Sequence, residues 1–558
     1  MHYSTLRPLD SRQEVISAFG GYDHHLRCAD GAFYNMRNIT GDDYPLLSAR
    51  RQRGFVTGGS HIRTLLAKDM LCYADGEDLV IGDTHIPLGL QSGDTQLISM
   101  GAYVVILPDG VYVNTADPAD RGRLEAGFEG ASAQLRLCRE DGEDIELCPD
   151  PENPADGDWR LSQGLQRWSE TASAWIGEDT TYVKLLAEGV GRDFQVGDGL
   201  HITGLPQVGS TGIVVSKGID FLVFPGILDS ASIFVENFSL TRRLPKMDFC
   251  LESGNRLWGC RYGLDRDGVF VNELYASKLG DFTNWECFAG LSTDSYRVSL
   301  GSDGVFTGAV TYLGQPLFFK EGQLHRVYGL SPATFQIQSD ACQGVQRGSG
   351  GSLAVVGETL YYKSRLGVCA YDGSLPREVS APLGDVAYHS AVAGAHGGKY
   401  YISMADEKDA WHLFVYDTRR GFWHREDETR VVSFASWGND LYFLDGADGC
   451  IKTVFGSGSG NVEGPISWMV ETGLIGAAEP GHKYLSHLRL RLRLTLGSTA
   501  DVYAEYDSSG VWEYAGSIKG TGMEARDIPI RPRRCDHLRL RLEGKGKMTL
   551  FSMAKTIC

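Results

Sequence analysis

Short apolar runs alternate with Gly, Asp and Asn turns along most of this chain, and helical periodicity is scarce. The pattern is clearest in residues 255–277, 357–373 and 399–423, where a strand, a turn and a second strand ending in aromatic residues follow one another. A four-stranded unit that repeats about every 40–50 residues is typical of a β-propeller blade. The sequence therefore predicts an all-β protein built on a β-propeller of six or seven blades.

The pattern changes in two parts of the chain, which predicts additional domains. Residues 117–178 are acidic and loop-rich, and residues 181–236 contain short strands without the repeat. In 487–494 and 537–542, Leu alternates with Arg, which predicts strands with one buried and one exposed face. The predicted organisation is an entry segment (1–54), opening blades (55–119), an inserted small β-barrel-like module (120–240), the remaining blades (241–455), a linker (456–460) and a C-terminal β-sandwich (461–558).

Composition narrows the class of protein. The net charge of −18 disfavours wrapping of nucleic acid around the whole surface. No run of about eighteen apolar residues predicts a membrane span, and the N-terminus lacks the apolar core of a signal peptide. We therefore expect a protein made in a cytoplasm.

Known catalytic and metal-binding motifs are missing from the sequence. There is no P-loop, no G-x-S-x-G elbow, no H-E-x-x-H helix and no C-x-x-C pair among the 12 cysteines. His24 and His25 follow Asp23, but a solvated turn explains this cluster better than a metal site. The sequence predicts no catalytic residues, no metal, no cofactor and no enzymatic activity.

Two groups of residues leave a carbohydrate-active propeller open as an alternative. Glycoside hydrolysis needs two carboxyl groups on facing elements, and exposed tryptophans stack on sugars. We expect the aspartates to bond their own turns and the tryptophans to pack between blades. The residues concerned are Asp265, Asp267, Asp281, Asp303, Asp372, Asp417, Trp258, Trp285, Trp423 and Trp437.

Arginines cluster near the C-terminus. If the strands that carry them pair, they form a basic patch that suits phosphate or an acidic partner protein. A solvated strand face whose charges block the sheet edge is the alternative. The candidate protein-interface residues are Arg489, Arg491, Arg493, Arg531, Arg533, Arg534, Arg539 and Arg541.

Three stretches in this order resemble a family of virion proteins. They are residues 19–54, the central run 274–329 with Leu274–Trp285, Leu300–Gly308 and Phe319–Gly329, and residues 536–544. Together they resemble the tail nozzle or tail-hub proteins of tailed bacteriophages, also labelled packaged-DNA stabilisation proteins. The resemblance covers most of the chain, and residues 120–240 match it only loosely.

The resemblance implies a structural viral protein of the phage tail, without catalytic residues, that forms a ring below the portal and adaptor and conducts the DNA during ejection. Its implied partners are copies of itself in a hexameric ring, the portal–adaptor complex, tail fibre or spike proteins and the passing genome. Its location would be the virion tail, after synthesis in the host bacterial cytoplasm. The alternative is a carbohydrate-binding or glycan-cleaving propeller at the tail tip, an adhesin or depolymerase.

Overall fold

The computed structural model describes residues 11–59, 61–91, 93–457, 463–478 and 481–558, apart from the side chain of Glu524. Strands dominate this part of the chain, and its helical elements are three short 3-10 helices, Pro332–Thr334, Gly350–Ser352 and Ala381–Leu383. The predicted all-β class is confirmed. Of the predicted linker, residues 458–460 lie outside the described residues, as does the N-terminal stretch 1–10.

The strands are numbered in chain order. Strands β1 to β17 span Arg12–Ile16, Gly21–Tyr22, Ala32–Arg37, Ile39–Thr40, Leu47–Ala49, Gly54–Gly58, Ile62–Ala67, Leu71–Asp75, Asp78–Ile81, Thr84–Pro87, Gln96–Met100, Tyr103–Leu107, Val111–Asn114, Arg121–Arg123, Ala126–Cys138, Trp159–Leu161 and Leu165–Ser169. Strands β18 to β34 span Ala174–Gly177, Tyr182–Leu186, Gly199–Thr203, Thr211–Ile213, Ser216–Lys217, Phe221–Pro225, Ser232–Arg242, Phe249–Ser253, Arg256–Leu264, Phe270–Ala276, Tyr296–Ser299, Phe306–Tyr312, Gln315–Lys320, Gln323–Tyr328, Gln336–Ala341, Ala354–Val356 and Thr359–Lys363. Strands β35 to β50 span Val368–Tyr371, Arg377–Glu378, Tyr388–His396, Lys399–Asp406, Trp411–Asp417, Phe422–Arg425, Val431–Trp437, Asp440–Asp445, Cys450–Thr453, Ser467–Thr472, Leu485–Leu494, Thr499–Tyr506, Glu513–Lys519, Gly522–Ile528, Leu538–Lys545 and Met548–Ile557.

Four-stranded sheets recur along the chain. Five of them join consecutive strands, namely β7–β10, β11–β14, β25–β28, β29–β32 and β33–β36. A sixth joins β41, β42 and β43 to β6, with Thr453 opposite Gly54 and Cys450 opposite Gly58. The repeated unit predicted from the strand–turn pattern is therefore present as small meandering sheets.

The chain forms two compact units. Unit 1 comprises residues up to 93, 319–324 and 341–558, and unit 2 comprises 94–318 and 325–340. The predicted domain boundaries stay predictions. Within the described residues, none of the helices has the length and apolar character of a membrane-spanning segment.

The C-terminal strands β44 to β50 belong to two sheets of unit 1. Strand β45 lies between β50 and β48, in a sheet that also holds β1, β4 and β5. Strand β49 lies between β44 and β46, in a ten-stranded sheet of order β37-β38-β39-β40-β2-β3-β44-β49-β46-β47. Leu490 of β45 and Leu540 of β49 are buried in one hydrophobic core, while Arg491 is exposed. The predicted alternation of a buried and an exposed face is confirmed.

Unit 2 contains a seven-stranded sheet of order β21-β20-β24-β15-β19-β23-β22 with its own hydrophobic core. Residues 117–178 were predicted to be loop-rich; β14 to β18 lie there, together with the long interval that separates β15 from β16. The sequence signal for β15 is weak because five of its first seven residues, Ala126–Ser132, are Ala, Gly or Ser and none is β-branched. Pairing with β24 along most of its length stabilises β15 instead.

Candidate functional site

Three of the four tryptophans singled out in the sequence are structural. Trp258, Trp285 and Trp423 are 3%, 4% and 0% exposed, so none of their ring faces is open to a sugar. Trp285 donates its ring N–H to the carbonyl of Phe282 at 3.1 Å. The predicted packing role is confirmed for these three residues, and Trp437 is 39% exposed.

Four of the six aspartates singled out in the sequence bond the backbone of their own turns, as predicted. Asp265 Oδ1 accepts the N–H groups of Asp267 and Val269 at 2.9 and 2.8 Å. Asp281, Asp372 and Asp417 accept backbone N–H groups two residues further on in the same way. Asp267 pairs instead with Arg243 at 3.2 Å.

The arginine groups lie in different sheets of unit 1. Arg489, Arg491 and Arg493 occupy the exposed face of β45, which pairs with β48 and β50 and not with β49. On β49, Arg541 pairs with Glu471 at 2.7 Å and lies over the Trp512 ring at 4.2 Å, and Arg539 pairs with Glu505. Arg531, Arg533 and Arg534 are exposed, and Arg533 pairs with Glu513 at 2.7 Å. Their role as a protein interface stays a prediction.

A long loop, residues 277–295, joins β27 to β28 in unit 2. Hydrogen bonds from the buried side chain of Arg256 stabilise it. The guanidinium of Arg256, 2% exposed, donates to the carbonyls of Ser277 at 2.7 Å, Asp294 at 2.5 Å and Ser292 at 3.1 Å. Asp294 Oδ2 accepts the N–H groups of Gly290 and Leu291 at 2.7 and 3.0 Å. The loop therefore has a defined shape despite its length.

An open cavity of about 270 Å³ lies between this loop, the start of β28 and the 3-10 helix Pro332–Thr334. Phe288 and Leu291 are 55% and 61% exposed beside it, so apolar surface faces solvent there. The lining residues are Phe288, Gly290, Leu291, Asp294, Ser295, Tyr296, Arg297, Pro332 and Ala333. The cavity thus combines ring faces with a single cation, Arg297.

Two glutamates with different surroundings lie near Arg297. Glu273 Oε2 accepts the Nε–H of Arg297 at 2.8 Å and the hydroxyl of Tyr275 at 2.9 Å. Arg297 lies opposite Tyr275 in the register of β27 and β28, and its guanidinium is 5.4 Å from the centre of that ring. Glu273 therefore has a permanent positive partner.

Glu286 is the second carboxyl group, and it lacks such a partner. Its Oε2 is buried without a hydrogen-bond partner among the described residues. Burial raises the pKa of Glu286, and nearby His201, Arg243 and Arg297 only partly oppose this. A buried carboxyl with a raised pKa keeps its proton to a higher pH than an exposed one, which suits a proton donor.

Sequence reasoning missed both glutamates. It examined acidic residues in Asp-Gly and hairpin turns, whereas Glu273 lies within β27 and Glu286 follows the buried Trp285. The only feature of the sequence that could have indicated this site was the long interval between β27 and β28. No group of three His, Cys, Asp or Glu residues suited to a metal ion occurs among the described residues, and His25 bonds Asp23 at 2.5 Å.

No protein-family model matches the chain, and no curated protein matches it. Solved structures that are similar include exo-β-1,3-galactanase from Phanerochaete chrysosporium, at 11% identity and a TM-score of 0.22, covering 55% of this chain and 94% of that one. PorZ of the Porphyromonas gingivalis type-IX secretion system is 11% identical with a TM-score of 0.27, covering 88% and 82%. Trypanosoma rangeli sialidase in complex with sialic acid is 9% identical with a TM-score of 0.23, covering 91% and 95%.

The sequence predicted a protein that is not an enzyme, and the comparisons contradict this, because a galactanase and a sialidase are among the similar structures. At these identities and TM-scores the likeness assigns no activity to this chain. None of the similar structures named above is a phage tail protein.

Proposed function

We propose that this chain is a carbohydrate-active protein that binds and cleaves a glycan at the unit 2 cavity. The observation that carries the proposal is Arg297, which lines the cavity, pairs with Glu273 and acts electrostatically on the desolvated carboxyl of Glu286. Phe288 and Tyr296 supply ring faces for the apolar side of a sugar. A cavity of about 270 Å³ approaches the size of common small-molecule sites.

The proposed chemistry is hydrolysis of a glycosidic bond. Glu286 holds its proton to a higher pH than a free glutamic acid and donates it to the departing glycosidic oxygen. Glu273, paired with Arg297, takes a proton from a water molecule, whose oxygen bonds to the anomeric carbon as the glycosidic bond breaks. One water is consumed, and two sugar fragments leave.

The finer fold that we propose is a seven-bladed β-propeller. The six four-stranded sheets and the consecutive strands β37–β40 make seven groups of four. An early strand, β6, completes the sheet of the late strands β41–β43, which is how propellers commonly join their ends. The seven-stranded sheet of unit 2 and the C-terminal strands would be additions to this frame.

Replacing Glu286 with glutamine should lower kcat for glycan hydrolysis about 100-fold with little change in KM, because the amide cannot donate a proton. Substrates with a good leaving group, such as dinitrophenyl glycosides, should lose much less. The high-pH limb of the wild-type rate profile should also vanish, since it reports deprotonation of the acid. A reducing-sugar assay over a panel of polysaccharides, run across pH, and release of dinitrophenolate from the aryl glycosides would measure these three effects.

The matched control is Glu236→Gln, an exposed change on β24 that should leave hydrolysis unchanged. Absence of hydrolysis across the panel, or equal rates for wild type and Glu286→Gln, would contradict the proposed activity.

A second candidate function is the ring-forming phage tail protein implied by the sequence resemblance. One structural feature favours it, the exposed Arg489, Arg491 and Arg493 on one strand of a chain whose net charge is −18. Such a cationic stripe suits an acidic partner protein.

This second candidate predicts a ring-sized mass in light scattering, alone or with the portal–adaptor complex. Arg489→Glu combined with Arg493→Glu should reduce that assembly. If the protein is a monomer and does not bind the portal–adaptor complex, this second candidate function is wrong. That result would not bear on the proposed glycan hydrolysis.

A further inference from the structure

A small three-stranded sheet in unit 2 carries two tryptophans side by side. Strand β17 pairs with β16 and β18, and Trp168 lies directly opposite Trp175. The two ring centres are 5.4 Å apart, with an angle of 62° between the ring planes. Residues directly opposite on neighbouring strands share a face of the sheet, so both rings belong to the same surface.

Arg160 and Gln166 lie on the same face. They are opposite each other in the register of β16 and β17, and Gln166 is two residues from Trp168. Arg160 donates its Nε–H to Gln166 Oε1 at 2.7 Å and lies over the Trp175 ring at 4.6 Å. We call the four residues Arg160, Gln166, Trp168 and Trp175 the aromatic platform.

The opposite face of the same sheet anchors it to unit 2. Leu165 is 5% exposed in the unit 2 core, and Trp159 and Leu161 pack against that core. The platform residues contribute nothing to this cluster, and each of them keeps part of its surface exposed. One face of the sheet thus packs against the unit 2 core. The two half-buried tryptophans lie on the other face, where they do not contribute to that core.

The negative charge of the neighbouring segment affects which ligands can bind to these rings. Aromatic and Arg side chains of this kind can stack on nucleic-acid bases or on sugars. The segment that leads into the sheet is strongly acidic, which repels a phosphate backbone. Its acidic residues are Glu140, Asp141, Glu143, Asp144, Glu146, Asp150, Glu152, Asp156 and Asp158. An uncharged ligand with an apolar face avoids this repulsion.

We propose that the aromatic platform binds a neutral oligosaccharide, at a site separate from the cavity. Trp168 stacks on the apolar face of a sugar ring. The remaining guanidinium N–H groups of Arg160 and the amide of Gln166 donate to sugar hydroxyls. The choice of a carbohydrate agrees with the proposed function, but binding here requires neither Glu286 nor Arg297. The platform would hold a polymer on the protein while the cavity acts on it.

The experiment measures binding of the full chain to an array of neutral and acidic oligosaccharides, with single-stranded DNA as a comparison. Wild type should bind neutral oligosaccharides in preference to acidic ones and to DNA. Trp168→Ala and Trp175→Ala should each weaken this binding at least about ten-fold, which corresponds to about 1.4 kcal/mol. Trp168→Phe, which keeps a ring, should retain part of the affinity.

The control is Ile176→Ala, which removes a 51%-exposed apolar side chain next to Trp175 on the other face of the sheet and should bind as wild type does. Circular dichroism and hydrogen exchange of β19 would establish that the tryptophan variants are folded. Binding unchanged in both tryptophan variants, tighter binding to DNA than to any glycan, or self-association through the platform would overturn the proposal.

The two proposals fail separately. If Glu286→Gln loses hydrolysis but binds the array as wild type does, and the tryptophan variants lose binding, both stand. If no glycan is cleaved while the tryptophan variants lose binding, only the proposed hydrolysis falls. If hydrolysis depends on Glu286 and the tryptophan variants bind normally, only the platform falls.

Discussion

Replacing Arg53 with methionine should lower the free energy of unfolding of unit 1 by about 3 kcal/mol, because it removes one of the two cations that neutralise the buried Glu426 and Asp427. Arg53 is 7% exposed, and its guanidinium bonds Glu426 at 2.8 Å and Asp427 at 2.9 Å. Arg50 completes the cluster, with contacts of 3.2 Å to Asp427 and 2.7 Å to Glu463. These ion pairs connect Arg50 and Arg53, near the start of the chain, to the segment that follows β40.

The same cluster predicts how unit 1 responds to acid. Burial alone would raise the pKa of Asp427, but Arg53 and Arg50 lower it to about 2, against a usual value of 3.8. A carboxyl with a depressed pKa adds stability that is present above pH 3.8 and is lost as the pH falls towards 2. Arg53→Met should flatten this part of the stability profile.

Urea unfolding between pH 2 and 7, with hydrogen exchange of β40 to assign the change, would measure both effects. Arg51→Met is the matched control, because Arg51 is an exposed neighbour, and it should change stability by less than about 0.5 kcal/mol. Equal stability of the two variants would show that the buried ion pairs contribute nothing net.

Replacing Arg256 with methionine should destabilise the 277–295 loop by about 3 kcal/mol and abolish function at the cavity. The change removes hydrogen bonds to three backbone carbonyls, and a buried acceptor left unpaired costs about 1–3 kcal/mol. Relief of the desolvation that lowers the pKa of Arg256 offsets part of this cost. The loop should then lose the shape that holds Phe288 and Leu291 beside the cavity.

Hydrogen exchange within 277–295 should accelerate in Arg256→Met, and Arg256→Lys should be intermediate, since one ammonium cannot reproduce the planar fork. The control is Arg192→Met, an exposed change in unit 2. Protection of the loop equal to that of wild type would show that its other contacts suffice.

Local features were predictable because they depend on neighbouring residues. Alternation of Leu and Arg in β45 needs only the two-residue period of a strand, and the structure buries Leu490 and exposes Arg491 accordingly. Asp265 is similar, since its partners, Asp267 and Val269, lie within four residues. The bulky Trp258 and Trp285 were expected to pack inside, and both are buried.

The candidate site was not predictable, because its residues come together only through tertiary structure. Glu273 and Arg297 meet because β27 pairs with β28 across the long loop. No pattern in the sequence indicates that Arg256 donates to carbonyls of Ser277, Ser292 and Asp294. The platform strands are as short as three residues, Trp159–Leu161, which is too few for periodicity to reveal a shared face.

The sequence by itself determined the all-β class, the repeated four-stranded units and the buried and exposed faces of the C-terminal strands, because each follows from the period of a strand and the chemistry of its turns. Only the tertiary structure decided which strands pair. It separated the arginines of β45 from those of β49 by placing them in different sheets. It also brought Glu273 to Arg297 and buried the carboxyl of Glu286, because strand register and burial depend on partners far along the chain.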